Sequence, residues 1–162
     1  MNPTRNQVIA AALVLTGVFL LWQSFFLVDQ REMAIVIQLG KPVGTVRGPG
    51  PHLKIPFIQN VVFLDARILL YDAQKAEILP QDKKNLVIDN YARWRITNPL
   101  QFYLSLRTIP RAQARLDDII YAELRVALGR YNLSDIVADK RNDVMTQVTA
   151  KTNEMLKPYG IE

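Results

Sequence analysis

Apolar and polar positions alternate along this chain in three distinct rhythms. The first is continuous. No ionisable side chain occurs between Asn6 and Val28, and the apolar run Val8 to Val28, VIAAALVLTGVFLLWQSFFLV, is 21 residues long. As a helix rising ~1.5 Å per residue it would measure about 31 Å, the thickness of a bilayer's hydrocarbon core. Trp22, Phe25 and Phe26 fall toward its downstream end, where aromatic side chains commonly meet lipid headgroups. A cleavable signal peptide is the competing reading, with Arg5 as its basic start. Against it, the run is too long, and bulky residues rather than a small-x-small site precede Asp29. Residues 1–28 are therefore expected to be a short cytoplasmic tail and a transmembrane anchor, with Val8, Leu15, Leu21, Trp22 and Val28 in the span. Basic residues flank it on both sides (Arg5; Arg31 and Lys41), so charge does not orient it. A short tail ahead of a large domain leans toward an inside amino terminus.

Beyond Asp29 the period becomes two. In REMAIVIQLG, residues 31–40, Met33, Ile35, Ile37 and Leu39 alternate with more polar neighbours until Gly40. In VVFLDARILLY, residues 61–71, Val62, Leu64, Ala66, Ile68 and Leu70 share a face. In NLVIDNYARWRI, residues 85–96, Leu86, Ile88, Ala92, Trp94 and Ile96 oppose Asp89, Tyr91, Arg93 and Arg95. Three such strands predict one antiparallel sheet with a single apolar face.

The rhythm then lengthens to three and four. Asn98-Pro99 opens a short helix through Leu106. From Pro110, Leu116, Ile119, Ile120, Leu124, Ala127 and Leu128 mark a second helix, stopped by Gly129. Ser134 is expected to cap a third, with Ile136, Val137, Val144, Met145, Val148, Met155 and Leu156 as a looser stripe before Pro158. Strands followed by helices predict an α+β domain over residues 29–162, its helices covering an antiparallel sheet.

Composition removes most catalytic chemistry. The 162 residues contain no cysteine and a single histidine, His52. Thiolate nucleophiles, disulfides, cysteine zinc sites, iron-sulfur clusters and any metal centre with two imidazoles from one chain are excluded. The net charge of +5 is moderate. Arg93, Arg95, Arg107, Arg111 and Arg115 are spread over two elements and read as a solvated or ion-paired face rather than a nucleic-acid surface. Asp117-Asp118, and Asp139 with Asp143, are carboxylate pairs on helices without a histidine to complete a metal site. Asn132-Leu133-Ser134 fits a glycosylation acceptor, although Ser134 serves better as a cap.

The densest candidate is GPGPHLKIPFIQ, residues 48–59. A phosphate loop needs free backbone N–H groups ahead of a helix; here two of them are replaced by proline rings and no helix follows. Pro49-Gly50 suits the centre of a type II turn, after which Leu53, Ile55 and Phe57 alternate as a short extended segment. Such a hairpin either buries its apolar residues as a structural turn or rests them against lipid. Pro49, Pro51, Leu53, Ile55 and Phe57 are thus a candidate membrane-surface hairpin. No serine stands in a G-x-S-x-G setting, so His52 reads as a turn residue without a reactive role.

Taken together, the anchor, QLGK, GPGPHLKIPFI, LDARI, DKKNLVIDNYARWRI, QARLDDIIYAELRVALG and YGIE resemble the stomatin, prohibitin, flotillin and HflK/C group, the SPFH or Band 7 family. DKKNLVIDNYARWRI is most similar to its HflC branch, and the resemblance runs from about residue 29 to the last residue. It departs from the family at Pro51, where a leucine is usual, and at Glu162, beyond which the family continues with a strand and a long assembly helix that are absent here. The resemblance implies a non-enzymatic scaffold in the bacterial inner membrane, its domain periplasmic, with no cofactor and no metal. It also implies an HflK-like paralogue as partner in a hetero-oligomer, membrane lipid as surroundings, and an FtsH-like membrane AAA protease as the thing regulated. A stomatin-like organiser of lipids or channels and, more remotely, a membrane-anchored hydrolase stay open.

Overall fold

The structure is a computed structural model that describes residues 5–46, 48–78, 85–132, 136 and 140–162. The chain divides into two compact units, residues 1–66 and 67–162.

The first unit begins with helix α1, Arg5–Ser24, whose residues Gln7–Ser24 are long and apolar enough to cross a membrane. Its hydroxyls are satisfied within the helix: Thr16 Oγ1 donates to the Ala12 carbonyl at 2.8 Å and Ser24 Oγ to that of Leu20 at 2.9 Å. The expected continuation to Val28 does not occur. Phe25–Val28 is strand β1, paired antiparallel with β4, Gly50–Leu53. The aromatic and β-branched residues of FFLV favour a pleated ribbon once a partner strand is available.

Strand β2, Glu32–Gln38, is the centre of a three-stranded antiparallel sheet between β3, Lys41–Val46, and β5, Gln59–Asp65. Met33 through Ile37 are all buried, so both faces of β2 are covered, not only the expected odd-numbered one. Leu39 and Gly40 form the two-residue turn from β2 to β3, with φ of 48° and 82°. Leu39 is accordingly exposed rather than part of the apolar face, and Lys41-Pro42 opens the next strand. Positive φ at both turn positions gives a hairpin whose twist matches its strands.

In the second unit, β6, Leu69–Asp72, pairs with β9, Tyr91–Trp94, and β7, Ala76–Ile78, pairs with β8, Leu86–Ile88. The single sheet expected from three long strands is therefore replaced, among the described residues, by four small antiparallel sheets, none closed into a barrel. Two of the three runs are broken. Residues 61–71 split between Asp65 and Leu69, and the inward parity changes across the break: Leu64 and Tyr71 are buried while Ile68 and Leu70 are exposed. Residues 85–96 split at Asp89-Asn90, but parity is kept, and Trp94 and Ile96 lie buried as expected.

Helix α2, Pro99–Ser105, starts at the predicted signal: the Asn98 side chain accepts from the Gln101 N–H at 3.3 Å and Pro99 occupies the first turn. Helix α3, Ile109–Leu128, buries the apolar stripe Leu116, Ile119, Ile120, Leu124, Ala127 and Leu128, and packs on α4, Arg141–Leu156, through Val144, Val148, Thr152 and Leu156. Ser134, Val137 and Asp139 lie outside the described residues, as does most of the Asn132–Ser134 motif. A 3₁₀ turn, Lys157–Tyr159, then brings the chain back, so that Ile161 bridges Ile96 and Arg95 exchanges backbone hydrogen bonds with Glu162. Gly160 makes this return at φ 72°, and a Cβ there would stand 2.5 Å from the Asn98 carbonyl oxygen.

Candidate functional site

The β1–β4 ribbon grows directly from the end of α1. Its register sets Phe25 opposite Leu53 and Leu27 opposite Pro51, and these four side chains are all exposed. Alternation turns the other face inward: Val28 is buried, and the Phe26 ring meets His52 at 5.7 Å and Phe63 at 6.4 Å between centroids. The Lys54 N–H donates to the Ser24 carbonyl at 2.8 Å, tying β4 to the last turn of the helix. One side of the ribbon is therefore a wholly apolar surface continuous with the apolar helix.

The loop after β4 extends that surface. Leu53 is 68% exposed, Ile55 50% and Phe57 82%. Pro49 and Pro51 are exposed beside them. The extended segment ends at Leu53, however, and Phe57 lies in a turn at φ 66°, a conformation uncommon for a bulky residue. Gln59 holds this turn from below: its Oε1 accepts from the Ile55 N–H at 2.8 Å, its own N–H donates to the Ile55 carbonyl at 3.0 Å, and its Nε2 donates to Gln38 Oε1 at 3.1 Å. Gly50, at φ 125°, gives the entry to β4 a backbone that other residues rarely adopt.

Phe25 and Leu27 are the members that sequence reasoning did not assign to the hairpin. Their alternation with Phe26 and Val28 was the available signal, hidden because the same residues extend a membrane-length apolar run. Val8, Leu15, Leu21 and Trp22 lie exposed on α1, and Trp22 is 83% exposed. Val28, expected in the anchor, is buried in the ribbon.

His52 sits in β4 with Nε2 at 3.1 Å from the Gly48 carbonyl oxygen. A carbonyl only accepts, so Nε2 carries the proton of this bond and the imidazole serves the loop closure.

Several ionisable groups of the second unit are paired. The Tyr71 hydroxyl donates to Asp117 Oδ1, and its pKa is pushed well above the usual phenol value, first by burial, then by that bond and the charges of Asp117, Asp118 and Asp72. Arg95 Nε donates to Glu162 Oε1 at 2.7 Å. Arg115 donates to the Tyr159 hydroxyl at 2.6 Å and lies 5.0 Å from its ring centroid. Lys140 pairs with Asp143 at 3.3 Å, and Lys151 approaches the largely buried Glu123 at 3.9 Å. A cavity of about 110 Å³ separates β9 from α3 and α4, with Trp94, Leu116, Ile120, Val148 and Thr152 among its walls. Trp94 Nε1 and Thr152 Oγ1 are buried there without a hydrogen-bond partner among the described residues. Among the described residues, no three His, Asp or Glu side chains gather in a manner suited to a metal ion.

Comparison with known proteins is consistent with this geometry. The family model for the SPFH domain / Band 7 family matches residues 26–162. Protein HflC of Buchnera aphidicola subsp. Schizaphis graminum is 35% identical over 139 residues, covering 81% of this chain and 45% of that protein. The protein named modulator of FtsH protease HflC of Escherichia coli K12 is 34% identical over 157 residues, covering 92% of this chain and 46% of its own length. Protein HflC of Treponema pallidum is 31% identical over 137 residues, covering 85% and 41%. The chain thus spans somewhat under half the length of these relatives. With an α+β arrangement of antiparallel ladders and packed helices, and a family match over all but its first 25 residues, the chain belongs to the SPFH domain / Band 7 family as an HflC-like member.

Proposed function

We infer that this chain is the membrane-anchored part of a non-enzymatic scaffold that modulates a membrane-bound ATP-dependent protease of the FtsH kind. The observation that carries the reading is its 34% identity, over 92% of its length, to a protein named modulator of FtsH protease. In this reading the chain up to Ser24 comprises a cytoplasmic tail and the anchor, and the residues from Phe25 to Glu162 form a periplasmic domain at the bacterial inner membrane. Pro49, Pro51, Leu53, Ile55 and Phe57 form a hairpin on the outer lipid surface. Their exposure beside the end of a membrane-length helix supports that role, because a contiguous apolar patch usually marks a contact surface. An HflK-like paralogue completes a hetero-oligomer.

The mechanism asked of such a protein is positional: hold a folded domain at the bilayer and present faces to neighbours. His52, occupied with the Gly48 carbonyl, supports a structural part for the only imidazole and makes a hydrolase the weakest alternative. A stomatin-like organiser of lipids or channels is the stronger one, favoured by the apolar ribbon.

Solubilising membranes in mild detergent and identifying what travels with the tagged chain tests the reading. Recovery of an ATP-dependent membrane protease, and of an HflK-like chain, is expected. Recovery of channels or lipid alone favours the organiser, and peptide hydrolysis by the purified chain defeats the scaffold reading.

A further inference from the structure

An open groove of about 570 Å³ lies between the last two turns of α1 and the β1–β4 ribbon. Val18, Leu21 and Trp22 line it from the helix, and Phe25, Leu27 and Pro51 from the ribbon. Phe26 completes the lining, and among the described residues no charged or hydrogen-bonding side chain other than the Trp22 indole belongs to it.

We propose that this groove seats an acyl chain of a bilayer phospholipid. The proposal rests on the membrane-anchor reading of α1 and goes beyond it by assigning a specific lipid-holding concavity.

Continuity with α1 identifies the occupant. The helix exposes mainly apolar side chains and is long enough to span a bilayer, so in the anchor reading the medium around Val18, Leu21 and Trp22 is hydrocarbon or the headgroup boundary. The groove opens from those same residues, and its far wall is the apolar face of the ribbon. Water would gain almost no hydrogen bonds there, whereas an alkyl chain can contact all its walls. Its volume falls within the ordinary range for sites that take small ligands, roughly 300–1,000 Å³.

The concavity is also fixed in advance. Ser24 closes the helix by bonding back to Leu20, its carbonyl accepts from Lys54, and Phe26 is held beneath the ribbon between His52 and Phe63. A preformed wall loses little freedom when a ligand settles on it.

The test uses the full chain, extracted from bacterial membranes in mild detergent and weighed by native mass spectrometry. The parent is expected to retain a phospholipid. Leu27→Trp and Val18→Trp, filling the groove from the ribbon and from the helix, should each cut retention about tenfold or more by displacing the alkyl contacts. Ile68→Trp, at an exposed apolar position in the second unit, should retain lipid like the parent. Alkaline carbonate extraction separates the two layers of the argument. If the parent is released as soluble protein, the anchor reading falls and this proposal with it. If all variants stay in the membrane but the parent carries no lipid, or the filled variants carry as much as the parent, the groove assignment alone is overturned. A lipid-free dimer that loses its partner on Leu27→Trp would likewise overturn it, assigning the face to a second copy.

Discussion

Removing the indole of Trp94 tests the packing of the second unit most directly. Trp94 is 2% exposed, stands opposite Leu69 in the β6–β9 ladder, and helps wall the cavity beneath α3 and α4. A buried tryptophan removes ~150–250 Å² from water, which at ~25 cal/mol per Å² is about 4–6 kcal/mol as an upper bound. Alanine keeps only a small part of that contact. Collapse into the space is resisted, because the walls already stand apart around about 110 Å³. Nε1 has no acceptor among the described residues, so no hydrogen bond to them is lost with it. Trp94→Ala should therefore destabilise this unit by about 3–5 kcal/mol. Trp94→Phe, which keeps a ring and forfeits no hydrogen bond to the described residues, should cost roughly 1–2 kcal/mol. Hydrogen exchange on amides of β9, α3 and α4, followed by mass spectrometry in detergent, reads the local opening free energy. Unchanged protection in the alanine variant, or a phenylalanine variant as damaged as alanine, would refute the reasoning.

Three further outcomes follow from other parts of the molecule. Leu21→Arg should disfavour insertion of α1 by up to about 2.5–3.5 kcal/mol, less if the guanidinium reaches the interface, measured as the inserted fraction in a translocation assay. Gly160→Ala should cost more than ~2 kcal/mol, combining a left-handed φ with a Cβ 2.5 Å from the Asn98 oxygen; a denaturation midpoint within error of the parent would contradict it. Tyr71 has a raised folded-state pKa, so its phenol keeps its proton where the unfolded chain loses it. Its contribution is full below pH ~10 and declines as pH rises beyond that, and alkaline melts should be flatter for Tyr71→Phe than for the parent.

The sequence by itself determined the elements whose signals are local. Asn98-Pro99 carries its own cap, the three-and-four spacing of Leu116 to Leu128 describes a buried helical stripe, and the even-numbered face from Leu86 to Ile96 is inward as read. Each depends on periodicity or on a side chain bonding its own backbone, which no distant partner needs to supply. The motifs that resemble the SPFH family were likewise legible in the residues, and the family match agrees with them.

Tertiary structure decided what depends on pairing. Phe25–Val28 is apolar enough to continue a membrane helix, and only the arrival of Gly50–Leu53 makes it a strand. That one change creates the apolar ribbon and adds Phe25 and Leu27 to the candidate site. The break after Asp65 reverses which residues face inward, so a period of two read through it assigns Ile68 and Leu70 to the wrong side. The partners of Tyr71, Arg95 and Arg115 are 44 to 67 residues away along the chain. Local patterns constrain local backbone, whereas strand pairing and charge pairing are settled by which distant segments the fold brings within hydrogen-bonding reach.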